Sequence, residues 1–415
     1  MSPTAFAALF LGALAMTTSL RLWLGWRQLR AVAGARAMVP AAFANRITQA
    51  QHETAADYTI ARVRVAMLEL LAEAALLLAL TVGGGVGAID LALTDVLGRG
   101  HAHGLALFAA VGTLSALVGL PFSWYRTFHI EARFGFNCGT PALWLADLAK
   151  GTALAVVVGG PVLLAVLWLM AAMGERWWFY VWCAWLGFNL LLLLVYPTVI
   201  APLFNKFTPL ADDSLKQRIE ALLARCGFSA SGLFVMDGSR RSAHGNAYFT
   251  GFGRAKRIVF FDTLLDKLEP REVEAVLAHE LGHFRHRHVI KRIAVLGAVS
   301  LALLWVLGQL LPQPWFFAGM KVSHGGTAAG LLLFSLMLPA FTFPFAPLTS
   351  ALSRRHEYEA DAYAARQTSA QDLVSALVKL YRDNASTLTP DALHSLFHDS
   401  HPPAAQRIGR LEALA

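Results

Sequence analysis

The stretch VLAHELGHFRHRHVIK, which runs from Val276 to Lys291, contains the pattern H-E-x-x-H. His279 and His283 are four residues apart, and Glu280 directly follows the first histidine. On a helix, positions i and i+4 face the same way, so both imidazoles can reach one metal ion. The chain then passes straight into a long apolar run, which predicts that this pattern lies next to a membrane.

One zinc ion per chain is the expected cofactor. Zinc binds imidazole and carboxylate ligands, and a catalytic zinc keeps one position open for water. The ion lowers the pKa of that water to about 7, and Glu280 lies where it can orient and deprotonate it. The alternative is a solvated helix end with accidental histidine spacing, but the apolar face of Val276, Leu277 and Leu281 favours the metal site.

The residues alone leave the third metal ligand open. In one class of metalloproteases the motif continues to a glycine and a third histidine, but the corresponding positions here hold His286 and Val289. Because each has arginine neighbours, His286 and His288 are better interpreted as bases at the membrane interface.

A downstream carboxylate is the other option. The stretch SRRHEYEADAYAARQ (353–367) offers Glu357 and Glu359, with Asp361 one turn beyond Glu357. Glu357 and Asp361 share a helix face, whereas Glu359 points away. Glu357 can therefore bind the zinc while Asp361 supports a ligand histidine from behind. Taken alone, this helix is equally well explained as amphipathic with solvated charges.

The composition places the chain in a membrane. Of its 415 residues, 56% are hydrophobic and 15% are charged, against about 25% charged residues in soluble domains. Mostly apolar runs long enough to cross ~30 Å of hydrocarbon occur at seven places: 4–24, 65–89, 104–125, 151–174, 178–200, 289–311 and 327–350. No Lys or Arg precedes the first run, so it is expected to be a retained span and not a signal peptide.

The net charge of +8 does not indicate nucleic-acid binding. The basic residues instead flank the spans and concentrate in the connections after the first and third, which is the positive-inside pattern. We therefore expect the N-terminus outside and the polar segments 201–288 and 351–415 in the cytoplasm. The three cysteines are far apart and odd in number, so they predict no disulfide framework.

Two regions are expected. Residues 1–200 form a membrane region with five transmembrane helices. Residues 201–415 form a zinc metallopeptidase domain that is interrupted by two transmembrane helices, at about 289–311 and 327–350. The polar segments on either side of these spans are each small, so they should pack together around one core.

Local patterns predict the elements of the first polar segment. DDSLKQRIEALLARCGF (212–228) predicts an amphipathic helix. Its apolar face consists of Leu215, Ile219, Leu222 and Leu223. Short strands are expected in SGLFVMDGS (231–239) and KRIVFFDTLL (256–265), and a helix that starts at Pro270 carries H-E-x-x-H.

Short motifs occur in a characteristic order along the chain. They are RFGFN (133–137), APLFNKFTPL (201–210), HGNAYFTGFG (244–253), HELGH (279–283), SRRHEYEAD (353–361) and HPPAAQR (401–407). Through them the chain resembles the integral-membrane zinc CAAX prenyl proteases of the a-factor-converting type, and more distantly the stress-induced bacterial membrane metallopeptidases. The resemblance implies an all-α membrane protein with about seven transmembrane helices enclosing a chamber. A small α+β zinc-metalloprotease domain, gluzincin-like, would close its cytoplasmic side.

The resemblance also implies roles for single residues. The implied zinc ligands and general base are His279, His283, Glu357 and Glu280. His401 and Arg407 are implied to lie in the active site, where His401 is suited to steady the oxyanion.

The motif HGNAYFTGFG (244–253) reads as a strand and turn whose glycines permit close backbone approach. The resemblance implies an edge strand that pairs with an extended peptide, with Asn246 and Ala247 near the substrate backbone. Strand addition can hold a peptide of loosely defined sequence. An ordinary hairpin is the alternative.

The implied function is a membrane-embedded zinc metalloendopeptidase that uses a zinc-activated water, with Glu280 as general base, on extended peptide or protein substrates of the CAAX type. Short termini and compact connections indicate a bacterial inner-membrane member, which leaves open whether its substrates are prenylated. A broad-specificity quality-control protease of membrane proteins would share these residues. From another class, a seven-span transporter or receptor with a metal site would need ionisable pairs in its spans, for which Glu69 and Glu73 are candidates.

Overall fold

The computed structural model describes residues 1–250 and 257–414. The helices before the first strand are α1 (Pro3–Ala35), α2 (Gln49–Leu80), α3 (Gly85–Leu97), α4 (His101–Tyr125), α5 (Pro141–Leu154), α6 (Gly160–Ala172), α7 (Trp177–Val195) and α8 (Ala201–Phe204). The central part contains β1 (Phe207–Pro209), α9 (Asp213–Arg225), β2 (Gly232–Met236), β3 (Ala247–Thr250), β4 (Arg257–Phe261), α10 (Asp262–Leu265) and α11 (Pro270–Arg285). The last part contains α12 (His288–Leu310), α13 (Pro314–Gly319), α14 (Thr327–Thr342), α15 (Ala346–Gln367), α16 (Ala370–Asp383), α17 (Ala392–His398) and α18 (Ala404–Glu412).

Six of the described helical runs are long and apolar enough to cross a membrane: Pro3–Ala35, His101–Glu131, Pro141–Ala172, Gly174–Phe204, His288–Leu310 and Thr327–Gln367. Helices α2 and α3 give a seventh if this bent pair is taken as one span. The predicted membrane protein of about seven spans is thus confirmed. The continuous run predicted at 65–89 is wrong in detail, because α3 starts at an angle of 53° to α2. Gly84, with a φ of 86°, permits this turn because it has no Cβ.

The helical run that contains the last predicted span extends well beyond it. Thr327–Gln367 is one helical run of 41 residues, whereas the sequence predicted a span over 327–350. Helix α15 is therefore a direct extension of a membrane helix. It carries Glu357, Glu359 and Asp361.

The sheet is small and mixed, with the strand order β1-β2-β4-β3. Strands β2 and β4 are parallel, β1 is antiparallel to β2, and β3 is antiparallel to β4. The strands predicted from SGLFVMDGS and KRIVFFDTLL are β2 and β4. Strand β3, from the HGNAYFTGFG motif, lies at one end of the strand order and begins with Ala247 paired to Phe260. The motif's last residues, 251–253, lie outside the described residues.

One hydrophobic core joins the polar segments on both sides of the last two spans, as predicted. The buried residues of α9 are the four predicted ones, Leu215, Ile219, Leu222 and Leu223. Around them pack side chains from the sheet, α11, α16 and α18, among them Phe260, Leu277, Leu373 and Ile408. Phe43 and Ile47, from the connection between α1 and α2, belong to the same core. The sequence did not predict that contribution.

Helix α11 is positioned by its ends and by one close contact. Pro270 occupies its first turn, next to a capping box. Gly282 faces α15 so closely that a Cβ atom there would lie 2.8 Å from the Cα of Ala360. Arg287, with a φ of 56°, separates α11 from α12. The helix that carries H-E-x-x-H therefore abuts a membrane span and does not continue into it.

Candidate metal centre

The structure brings His279 and His283 of α11 together with Glu357 of α15. His279 Nε2 is 3.2 Å from His283 Nε2. Oε2 of Glu357 lies 3.4 Å from His279 Nε2, and Oε1 of Glu357 lies 3.4 Å from His283 Nε2. Tetrahedral zinc with bonds of about 2.0–2.1 Å separates its ligand atoms by about 3.3–3.4 Å, and each of these three distances is close to that value. His279, His283 and Glu357 are called the metal triangle below. Within the described residues, the buried Oε2 of Glu357 has no hydrogen-bond partner, which suits a metal ligand.

A buried ion pair lies behind His279. His279 Nδ1 is 2.8 Å from Asp361 Oδ1. Arg407 donates to both oxygens of Asp361 at 2.7 Å. The three residues are only 4–6% exposed. Because Asp361 accepts a hydrogen bond from Nδ1–H, the opposite nitrogen of a neutral His279 is left free to bind a metal.

A second histidine lies behind His283. His283 Nδ1 is 3.0 Å from His288 Nδ1, and His288 Nε2 is 3.0 Å from Glu359 Oε2. The interpretation of His288 as an interfacial base is wrong, because it is only 3% exposed. The positive φ of Arg287 redirects the chain here and brings His288 against His283. Glu359 does point away from the metal position, but it contacts His288.

The pKa values of the two histidines of the metal triangle are shifted in opposite directions. Burial and the charge of Arg407 would lower the pKa of His279, but the neighbouring carboxylates of Asp361 and Glu357 outweigh both and raise the pKa to about 9. Burial lowers the pKa of His283 to about 3, and the charge of His279 acts in the same direction. Burial raises the pKa of Glu280. A glutamate with a raised pKa is better matched to proton transfer near neutral pH.

The remaining predicted residues border one cavity of about 430 Å³ beside the triangle. They are Glu280, Asn246, Ala247, His401 and Arg407. The exposed Asn246 immediately precedes β3. His401 Nε2 is 3.5 Å from Glu357 Oε2, and its side chain is 62% exposed. The cavity thus brings every predicted site residue near the triangle, except that Asp361 lies behind His279.

Sequence reasoning missed His244, the first residue of the HGNAYFTGFG motif. His244 Nδ1 is 3.2 Å from Asn384 Oδ1, which also accepts from the amide of Gly245 at 3.2 Å. His244 Nε2 is 3.4 Å from Glu131, whose other oxygen accepts from Tyr58 at 2.6 Å. This network links the segment before β3 to the membrane helices. The position of His244 within the strand motif was the available signal.

The residues proposed for the transporter alternative have other surroundings. Glu69 of α2 forms an ion pair with Arg126. Glu73 borders a cavity of about 270 Å³ that is lined mostly by apolar residues of the spans. Neither residue belongs to the metal triangle or borders the cavity beside it.

Comparisons with known proteins agree with this geometry. The family profile of the CAAX prenyl protease N-terminal region, five membrane helices, matches residues 28–206. The profile of peptidase family M48 matches residues 209–415. A CAAX prenyl protease 1 homolog of Arabidopsis thaliana is 38% identical over 315 residues, which cover 75% of this chain and 73% of the relative. CAAX prenyl protease 1 of Saccharomyces cerevisiae is 36% identical over 327 residues, with coverages of 75% and 72%.

A solved structure extends the likeness to the whole fold. The crystal structure of S. mikatae Ste24p matches 99% of this chain and 100% of that chain, with a TM-score of 0.92 and 30% sequence identity. These matches favour a protease over a transporter or receptor.

Proposed function

This chain belongs to peptidase family M48 and is a membrane-embedded metalloendopeptidase, and on that premise we propose that it binds one zinc ion to cleave extended, CAAX-type peptide segments. The proposed ligands are His279, His283 and Glu357. The close approach of their donor atoms, at 3.2–3.4 Å, carries the proposal, together with the buried Oε2 of Glu357, which has no hydrogen-bond partner among the described residues. Bound zinc would supply a Lewis acid that polarises the scissile carbonyl and acidifies water.

Glu280 is assigned the role of general base. It borders the cavity next to His279 but does not belong to the ligand triangle. Its raised pKa helps it to accept a proton from the attacking water and pass it to the leaving amine.

His401 and Arg407 are assigned different roles. The exposed His401 faces Glu357 and can donate a hydrogen bond to the oxyanion that develops on the scissile carbonyl. Arg407 is buried and bonded to Asp361. We therefore assign Asp361 and Arg407 to holding His279, without contact with the substrate.

Strand β3 gives the site a way to hold an extended peptide. A peptide that pairs with an edge strand is held mainly through its backbone, which tolerates loosely defined sequences. Asn246 and Ala247, at the start of β3, border the cavity beside the metal triangle. We assign them to hydrogen bonding with the substrate backbone. Apolar side chains border the same cavity, namely Phe261, Leu264, Val276, Leu373 and Leu377. They suit the aliphatic residues that follow the cysteine of a CAAX segment.

We place the active site on the cytoplasmic face of a bacterial inner membrane, with a membrane region at 1–200 and the peptidase domain at 201–415. The arginine-rich connections after the first and third spans support this orientation. A cysteine introduced into 211–217, with the natural cysteines replaced, should resist an impermeant thiol reagent in intact cells. Rapid labelling from outside would overturn the orientation.

Purified protein in detergent provides the test of function. One zinc per chain and peptide hydrolysis, both lost in His279→Ala, are the expected result. Activity that persists in metal-free protein would contradict the proposal. Matched CAAX peptides with and without a farnesyl group then decide the substrate class. Faster cleavage of the farnesylated peptide supports processing of prenylated proteins, whereas equal cleavage of unrelated extended peptides supports the quality-control alternative.

A further inference from the structure

We propose that His288 and Glu359 are positioning residues for His283, and that they hold its ring through a two-step hydrogen-bond relay. The inference rests on the proposed metal site. The relay begins at His283 Nδ1, passes through both ring nitrogens of His288 and ends at Glu359, with each step measuring 3.0 Å. His288 is 3% exposed, and both of its nitrogens are engaged.

The chemistry of the three groups fixes the direction of the relay. If His283 binds a metal through Nε2, its proton is on Nδ1, which then donates. His288 Nδ1 must accept that hydrogen bond, so the proton of a neutral His288 is on Nε2. The atom that faces Nε2 is a carboxylate oxygen of Glu359, which only accepts when it is ionised. Every donor in the relay therefore meets an acceptor.

Packing holds the relay in this arrangement. The rings of His288 and His356 are stacked, with centroids 4.0 Å apart and planes inclined by 12°. The other oxygen of Glu359 accepts from Arg355 Nε at 3.0 Å, one turn earlier on α15. Because α15 also carries Glu357, the relay connects one metal ligand to the helix that provides another.

Zinc affinity is the measurement that tests the relay, since a purely structural histidine would not change it selectively. His288→Phe keeps a planar ring but removes the acceptor for His283 Nδ1, and zinc should bind 10- to 100-fold more weakly, as for other residues that orient metal ligands. His288→Asn retains a side-chain oxygen near the position of Nδ1 and should recover most of the affinity. Glu359→Leu should weaken binding by a smaller factor, and Glu359→Gln, which still accepts from His288, should restore it.

The control variants separate positioning from packing and from failure of the metal site itself. His356→Phe preserves stacking on His288 and should keep the zinc dissociation constant within about twofold. His279→Ala should abolish stoichiometric binding, and if it does not, the metal site is wrong and not the relay.

The relay is overturned if His288→Phe, folded by its elution and thermal midpoint, binds zinc like the wild type. If His288→Phe does not fold, the Glu359 pair decides. Equal zinc affinity of Glu359→Leu and Glu359→Gln then overturns the relay, and weaker binding by Glu359→Leu alone supports it. Cobalt-substituted protein gives a second readout, because a tilted His283 ring should change the visible absorption of His288→Phe but not of His356→Phe.

Discussion

His279 and His283, the two proposed ligand histidines, both lie on α11, but the surroundings behind the His279 ring differ from those behind the His283 ring. Behind His279, a carboxylate contacts the ring directly and is paired with a guanidinium, and both groups are buried. Asp361 is 4% exposed and Arg407 is 6% exposed. Removing one member of a buried pair leaves an uncompensated charge, which is strongly destabilising.

Behind His283, the carboxylate acts only through an intervening imidazole, and the relay ends in solvent. The side chain of Glu359 is 27% exposed and that of Arg355 is 77% exposed. Exposed ion pairs contribute only about 0–1 kcal/mol. The comparison shows that two histidines on one helix can be supported in different ways, His279 by a buried ion pair and His283 by a second imidazole whose carboxylate partner is partly exposed.

The largest effect should come from Glu280, which belongs to neither side. Glu280→Gln keeps size and hydrogen-bonding shape but cannot take up a proton, so peptide hydrolysis should fall by about 10²- to 10⁴-fold. Zinc per chain should stay near the wild-type value, because the ligands are unchanged. Zinc content and hydrolysis rate should be measured on the same preparation. Substantial activity with zinc intact would remove Glu280 from the mechanism.

The second effect compares the two carboxylates. Asp361→Ala leaves Arg407 buried without its partner and should lower the free energy of unfolding by about 3–5 kcal/mol. Glu359→Ala should lower it by no more than about 1 kcal/mol, because that carboxylate is partly solvated. Denaturant unfolding in detergent measures both. Equal losses would contradict the contrast between a buried and a solvated side.

A third effect should act on both sides at once. Gly282→Ala places a Cβ against the backbone of Ala360, so α11 and α15 must separate. Overpacking of this kind costs about 1–3 kcal/mol, and zinc binding should weaken because Glu357 moves relative to both histidines. Gly409→Ala, where a new Cβ meets no atom within 4 Å, is the matched control and should leave zinc affinity unchanged. Unchanged zinc affinity in Gly282→Ala would show that this close contact does not set the ligand geometry.

The same contrast shows what the sequence could predict. The apolar face of α9 and the shared face of His279 and His283 were predictable because helical periodicity is local. Glu357 stayed one of several options, because its approach depends on how α15 packs against Gly282. The contact of His288 with His283 could not be predicted, because it depends on the backbone turn at Arg287 that ends α11. Hydrophobic periodicity does not reveal such a turn.

The last prediction concerns protons and separates the two histidines directly. In the metal-free protein at pH 6, the ring of His279 should be protonated on both nitrogens and positively charged, because its pKa is raised to about 9. The ring of His283 should be neutral at this pH, because its pKa is lowered to about 3. A metal binds neutral imidazole, so zinc binding at pH 6 should release about one proton, from the His279 side only. The sign follows from the raised pKa: protons compete with zinc below pH 9, so apparent affinity should increase as the pH rises from 5.5 to 7.5.

Calorimetry in two buffers with different ionisation enthalpies counts the released protons. The experiment should use Glu280→Gln, because the raised pKa of Glu280 would otherwise contribute a proton of its own. Asp361→Asn in that background removes the main charge that holds the proton on His279, so the count should fall toward zero. His288→Asn should leave it near one, because the relay faces a ring that is already neutral. Release of two protons by the Glu280→Gln protein would show that the two histidines do not differ in charge. An equal decrease in proton release on adding Asp361→Asn or His288→Asn would show the same.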